Sequence, residues 1–153
     1  MAMSALFSFL HFAAVFGVVG TLVAEWVILN PTPTYREATR LQQCDRWYGI
    51  SATVLLIVGF LRVYYFEKGS AFYFANPFFH AKLGLFIAVG LLSIYPTLRF
   101  IKWRGPMKGG AAPTVPDAEF RTLRTVLRLE VILLAGIVAC AALMARGVGL
   151  RAS

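Results

Sequence analysis

Charge is scarce in this sequence. Asp, Glu, Lys and Arg make up 14% of 153 residues, against 59% apolar residues, and the mean hydropathy is +0.70. A soluble domain carries about 25% charged residues, so water is excluded as the main solvent. Cysteine is rarer still. Cys44 falls in the first connection and Cys140 inside an apolar run, and their different depths exclude a disulfide, whose Cα atoms lie roughly 4 to 7 Å apart. There is no C-x-x-C-H, which excludes covalent c-type haem attachment. The N-terminus lacks a basic n-region, and its apolar run from Ala5 to Leu29 outlasts the roughly 7 to 15 residues of a signal-peptide core. It reads as a retained span. Alternation of apolar and polar residues over about ten positions, the mark of a membrane barrel, is also missing; the runs are apolar all round for about twenty residues or more.

What is present fits an all-α, integral membrane four-helix bundle with antiparallel up-down topology, folded as a single transmembrane domain. The expected spans are about 5–29, 47–66, 78–100 and 121–147. Asn30-Pro31-Thr32-Pro33 stops the first, because prolines cannot continue a helix. Thr34-x-x-Glu37 is a capping-box pattern, so the second helix begins near Tyr35 and enters lipid near Trp47. Glu67-Lys68-Gly69-Ser70 is the next turn, and Phe72, Tyr73 and Phe74 suit an interfacial aromatic belt. Asn76-Pro77 reads as N-cap and first turn of the third helix, and Pro96 is expected to kink its end. Gly105 to Pro116 reads as the one flexible linker. Asp117 and Glu119 favour the start of the fourth helix.

Basic residues outnumber acidic ones 15 to 7. They cluster at span ends, which points to membrane topology and not to nucleic acid. One side carries Arg36, Arg40, Arg46, Arg99, Lys102, Arg104, Lys108, Arg121, Arg124 and Arg128. The other carries Arg62, Lys68, Lys82, Arg146 and Arg151. The asymmetry predicts a bacterial cytoplasmic (inner) membrane protein with both termini non-cytoplasmic. Arg121, Arg124 and Arg128 share a helical face that would attract anionic membrane lipids.

Ionisable residues at membrane depth are functional candidates by default. Topology gathers His11, Arg62, His80, Lys82, Met144 and Arg146 near the outer third of the bilayer. Haem needs His or Met ligands, an apolar slot and cations for its propionates, so these residues form a candidate haem b site. His11 is read as one axial metal ligand, with His80, Lys82 or Met144 as the other. Arg62 and Arg146 equally suit snorkelling to headgroups. On the first helix, Glu25 shares the face of His11, Ala14, Val18 and Leu22. It is expected to join a structural ion-pair set with Arg99, Arg128 and Glu130. Ala13, Gly17, Gly20 and Ala24 form a small-residue stripe suited to a homodimer contact.

Leu10 to Val15, Gly59 to Phe66, Asn76 to Leu85 and Leu143 to Gly147 resemble an uncharacterised bacterial family of four-span membrane proteins. More distantly, the first-span histidine and Phe79-His80-Ala81-Lys82-Leu83 are similar to the HemJ type of protoporphyrinogen oxidase and to CopD-like membrane proteins. That resemblance implies b-type haem on His11 and Lys82. Where the HemJ type has Tyr followed by His, this chain has Tyr95 followed by Pro96, so haem binding carries over better than the oxidase activity. The resulting expectation is a haem b protein in electron transfer or tetrapyrrole oxidation, with a quinone or other redox partner. The alternative is a cofactor-free small transporter or accessory subunit that binds an anion or lipid headgroup.

Overall fold

The computed structural model describes residues 2–66 and 77–146. Their helices are α1 (Ala2–Ile28), α2 (Tyr35–Leu61), α3 (Pro77–Met107) and α4 (Asp117–Ala145), with a π-helical turn at Arg62–Phe66 after α2. All four are long and apolar enough to cross a membrane. The expected turn at 67–70, the aromatic belt at 72–74, the Asn76 cap and the residues beyond 146 lie outside the described residues.

The α1–α2 connection follows from its sequence. Asn30 Oδ1 accepts the Thr32 N–H at 3.0 Å, an Asx turn that leads the chain out of α1. Thr34 Oγ1 then accepts the Glu37 N–H at 3.3 Å, while Glu37 Oε2 accepts the Thr34 N–H at 2.8 Å. This is the capping box the spacing predicts. A short link of this kind makes α1 and α2 antiparallel neighbours.

α1 packs mainly on α2 and α3 mainly on α4, while shorter contacts join α1 to α4 and α2 to α3. α1 and α3 therefore stand on a diagonal. Large apolar residues such as Phe16 (79% exposed) and Val27 (73%) cover the outside, which is the surface lipid requires and water would penalise.

The expected small-residue stripe is used inside the chain at Gly17. A Cβ there would collide with the Oγ of Ser51 on α2, whereas one at Gly20 would meet open space. Gly17 thus sets how closely α1 approaches α2.

The expected linker begins later than the sequence suggested. α3 continues through Pro96 and across Gly105-Pro106 to Met107. Phe100, Trp103 and Met107 recur at helical spacing and all are buried, so packing of that face outweighs the local helix-breaking signal. The turn comes at Gly110, whose φ of +79° is readily adopted only by glycine.

Those residues belong to an apolar plug at the end of the bundle that carries most of the basic residues, the basic end hereafter. Leu29 from α1's end, Leu41 of α2, Phe100 and Trp103 of α3, and Leu123 and Leu127 of α4 share this core. Polar ties surround it. Gln42 Nε2 donates to the Phe100 carbonyl at 2.9 Å, and Trp103 Nε1 donates to Glu119 Oε1 at 3.1 Å. Arg99 pairs with Glu119 at 3.4 Å and lies over the Tyr95 ring at 5.1 Å.

Candidate functional site

Beneath the plug, on its membrane side, the four helices bring polar groups into the bundle. α1 supplies Glu25 and α4 supplies Glu130, which are 2% and 1% exposed and are the buried charged residues of the core. The cause is periodicity. Glu25 continues the buried stripe Ala14, Val18, Leu22, and Glu130 interrupts the stripe Leu123, Leu127, Leu134, each at the three- or four-residue step of one helical face.

α2 adds Cys44, Asp45 and Tyr48, and α3 adds Ser93 and Thr97. The Thr97 hydroxyl donates to Asp45 Oδ1 at 2.6 Å, a short charge-assisted bond. The Ser93 hydroxyl donates to the Gly90 carbonyl of its own helix at 2.8 Å. The charges interact across helices: Glu25 feels Asp45 and Glu130, and Glu130 feels Asp45. One oxygen of each buried carboxyl, Glu25 Oε1 and Glu130 Oε1, has no hydrogen-bond partner among the described residues. Leaving a buried carboxylate oxygen without a donor is costly.

Here the expected ion-pair set is corrected. Arg99 is held by Glu119, and Arg128 is exposed. Arg128 precedes Glu130 by two positions, about 200° around the helix, so it points outward when the carboxyl points in. The glutamates face each other's charge without a basic partner among the described residues.

The candidates at the opposite end are placed differently. His11 is half-buried, and its ring lies against Gly59 of α2, where an added Cβ would be 3.8 Å from His11 Cε1. His80 is exposed; the buried neighbour is Phe79, whose ring meets the His80 ring edge-on with 5.8 Å between centroids. The Lys82 ammonium lies 5.5 Å from the Phe79 ring centre. Arg62 opens the π-helical turn and is half-buried, as is Met144, while Arg146 is exposed at the end of α4. The structure thus brings His11 to Gly59 and Lys82 to Phe79. His11 and His80 sit on diagonal helices with one ring turned inward and the other outward, so they do not form a facing pair of ligands. For haem b, the fit is limited to His11 as an interior imidazole, with half-buried Met144 as a second donor on a helix that touches α1.

Asp45 also faces outward, into an open cleft of about 590 Å³ between α2 and α3. It is the one carboxylate that lines both the cleft and the buried cluster. Sequence reasoning set Glu25 beside Glu130, though as members of an ion-pair set with arginine, and missed Asp45 as their companion. The available signal was an acidic residue at helical spacing with the buried Ala38, Leu41 and Tyr48.

Over residues 3–149 the chain matches the family described as predicted membrane protein (DUF2214). No curated protein and no solved structure matches the chain, so whole-chain comparison adds no support to the HemJ-type and CopD-like resemblance.

Proposed function

We propose that this chain, which belongs to the DUF2214 family of predicted membrane proteins, is a proton-binding membrane protein of the small transporter or accessory-subunit class. Glu25 and Glu130 are the proton-binding groups. One observation carries the reading: two carboxyls from different helices, both almost wholly buried, each with an oxygen that no donor among the described residues reaches. Two negative charges held this way in a low dielectric repel one another and lose hydration. A proton on one of them removes a charge and supplies a donor.

Asp45 gives the pair a route to solvent. It is bonded to Thr97, interacts with both glutamates and lines the cleft. Protons then exchange from the basic end. The excess of Lys and Arg at that end supports a cytoplasmic position for it in a bacterial inner membrane, with the termini outside. Towards those termini the α1 stripe is apolar at Leu22, Val18 and Ala14, which closes the site on that side.

The test counts protons. Purified protein in mild detergent is titrated beside Glu25→Gln, Glu130→Gln and the double variant. The reading requires the wild type to hold at least one more proton near neutral pH than the double variant does. Identical titration curves refute it.

A second reading, haem b binding with a redox role, draws on half-buried His11 on the interior face of α1. Haem would supply electron transfer there. Protein from haem-replete cells would show a Soret band that His11→Ala abolishes, and a colourless wild type would remove this reading.

A further inference from the structure

The α2–α3 cleft has the form of a binding site for an amphiphile. Its α2 wall is one helical face: Gln42, Asp45 and Arg46 at the basic end, then Gly49, Ile50 and Val54 deeper in the membrane. The α3 wall contributes Thr97, Ile101 and Arg104. From Gln42 to Val54 the cleft runs about 18 Å along α2. Its polar and apolar parts are separated along that length. The arginines stand at the mouth, both exposed. The deep part is lined by Gly49, Ile50 and Val54, and Thr53, which also lines it, has its hydroxyl engaged by its own helix at Gly49 O, 2.8 Å away.

Charge selects the occupant. Arg46 and Arg104 share the cleft with a single carboxylate, Asp45, which already takes a hydrogen bond from Thr97. The surplus is positive, and guanidinium groups bind phosphate oxygens with charge-assisted, often bidentate hydrogen bonds. Gly49 opens the space below them: a Cβ there would meet nothing within 4 Å. We infer that the cleft binds one anionic phospholipid, with its phosphate between Arg46 and Arg104 and an acyl chain along Gly49, Ile50 and Val54. The headgroup then sits beside Asp45, the residue that opens the buried carboxyl cluster to solvent.

This inference stands apart from proton binding, and its test keeps the two separate. Delipidated protein is titrated with phosphatidylglycerol or with phosphatidylcholine of the same chain length, and bound lipid is read by native mass spectrometry. One phosphatidylglycerol per chain binds in preference to phosphatidylcholine. Arg46→Gln and Arg104→Gln each weaken its binding about tenfold. Gly49→Leu fills the cleft and weakens phosphatidylglycerol and phosphatidylcholine alike. Glu25→Gln leaves lipid binding unchanged even though it alters proton binding. Folding of each variant is checked by helical circular dichroism. Equal binding of the two lipids, wild-type affinity in the arginine variants or in Gly49→Leu, or displacement of the lipid by inorganic phosphate alone would overturn the proposal.

Discussion

The two ends of this bundle are built on different terms. At the basic end α2, α3 and α4 extend past α1 and close over an apolar plug, so that Leu41, Leu123 and Leu127 are completely buried. At the opposite end Val58 and Phe79 are buried, while Tyr64, Tyr65 and His80 are exposed. The difference shows where an ionisable group carries weight. An exposed residue at that end, such as Arg146, reaches headgroups and water. A carboxyl at the packed end has no such exit, so Glu25 and Glu130 meet their electrostatic cost inside the protein. Buried polar groups confined by close packing are the ones a structure must answer with a ligand, a proton or a partner.

Truncating one buried ring and one lipid-facing ring exposes the contrast most strongly. Trp103 is buried, stacks edge-on with Phe100 at 5.1 Å and donates to Glu119. Trp103→Ala is expected to cost about 3–5 kcal/mol. Phe16→Ala, on the lipid-facing surface, is expected to stay within about 0.5 kcal/mol. Thermal unfolding in mild detergent measures both, and comparable losses would erase the distinction between packed and open regions.

The α1–α2 contact gives the next largest effect. Gly17→Leu forces a side chain into Ser51 and is expected to destabilise by about 1–3 kcal/mol. Gly20→Leu, which meets open space, leaves the melting temperature unchanged. A larger loss at Gly20 than at Gly17 would mean that the small-residue stripe serves another copy of the chain and not α2.

Smaller changes sharpen the picture at single bonds. Thr97→Val removes the hydrogen bond to Asp45 and is expected to cost about 1–2 kcal/mol, with altered proton exchange at the cluster. Thr34→Ala removes the N-cap of α2 for about 1 kcal/mol or less, with proton exchange unaffected. If the two variants had the same effect on exchange, Asp45 would lose its assigned place on the route to solvent.

The helices were legible in the sequence because the solvent dictates them: long apolar runs in lipid have to satisfy their own backbone. The α2 cap was legible because the capping box is a local pattern, complete within Thr34 to Glu37. The end of α3 was not. Gly105-Pro106 is a strong local breaker, and what overrides it is the burial of Trp103 and Met107 against residues far along the chain. The site divides in the same way. Glu25 and Glu130 stood out by depth, whereas Asp45 depends on how the helices are rotated, and a list of depths does not contain rotation. Depth placed Arg128 beside Glu130, and rotation turned it outward. His11 and His80 were prominent because histidine is rare here, with 2 in the chain; the fold sets their rings in different surroundings.

Infrared spectroscopy tests the central claim most directly, because the C=O stretch of a protonated carboxylic acid is separate from that of a carboxylate and moves up in frequency when hydrogen bonds are missing. Protein in lipid vesicles at neutral pH should show such a band above the range of solvent-exposed acids. It should vanish in the Glu25→Gln, Glu130→Gln double variant and persist in His80→Gln. A wild-type spectrum without the band, or a band that survives loss of both glutamates, would contradict the account.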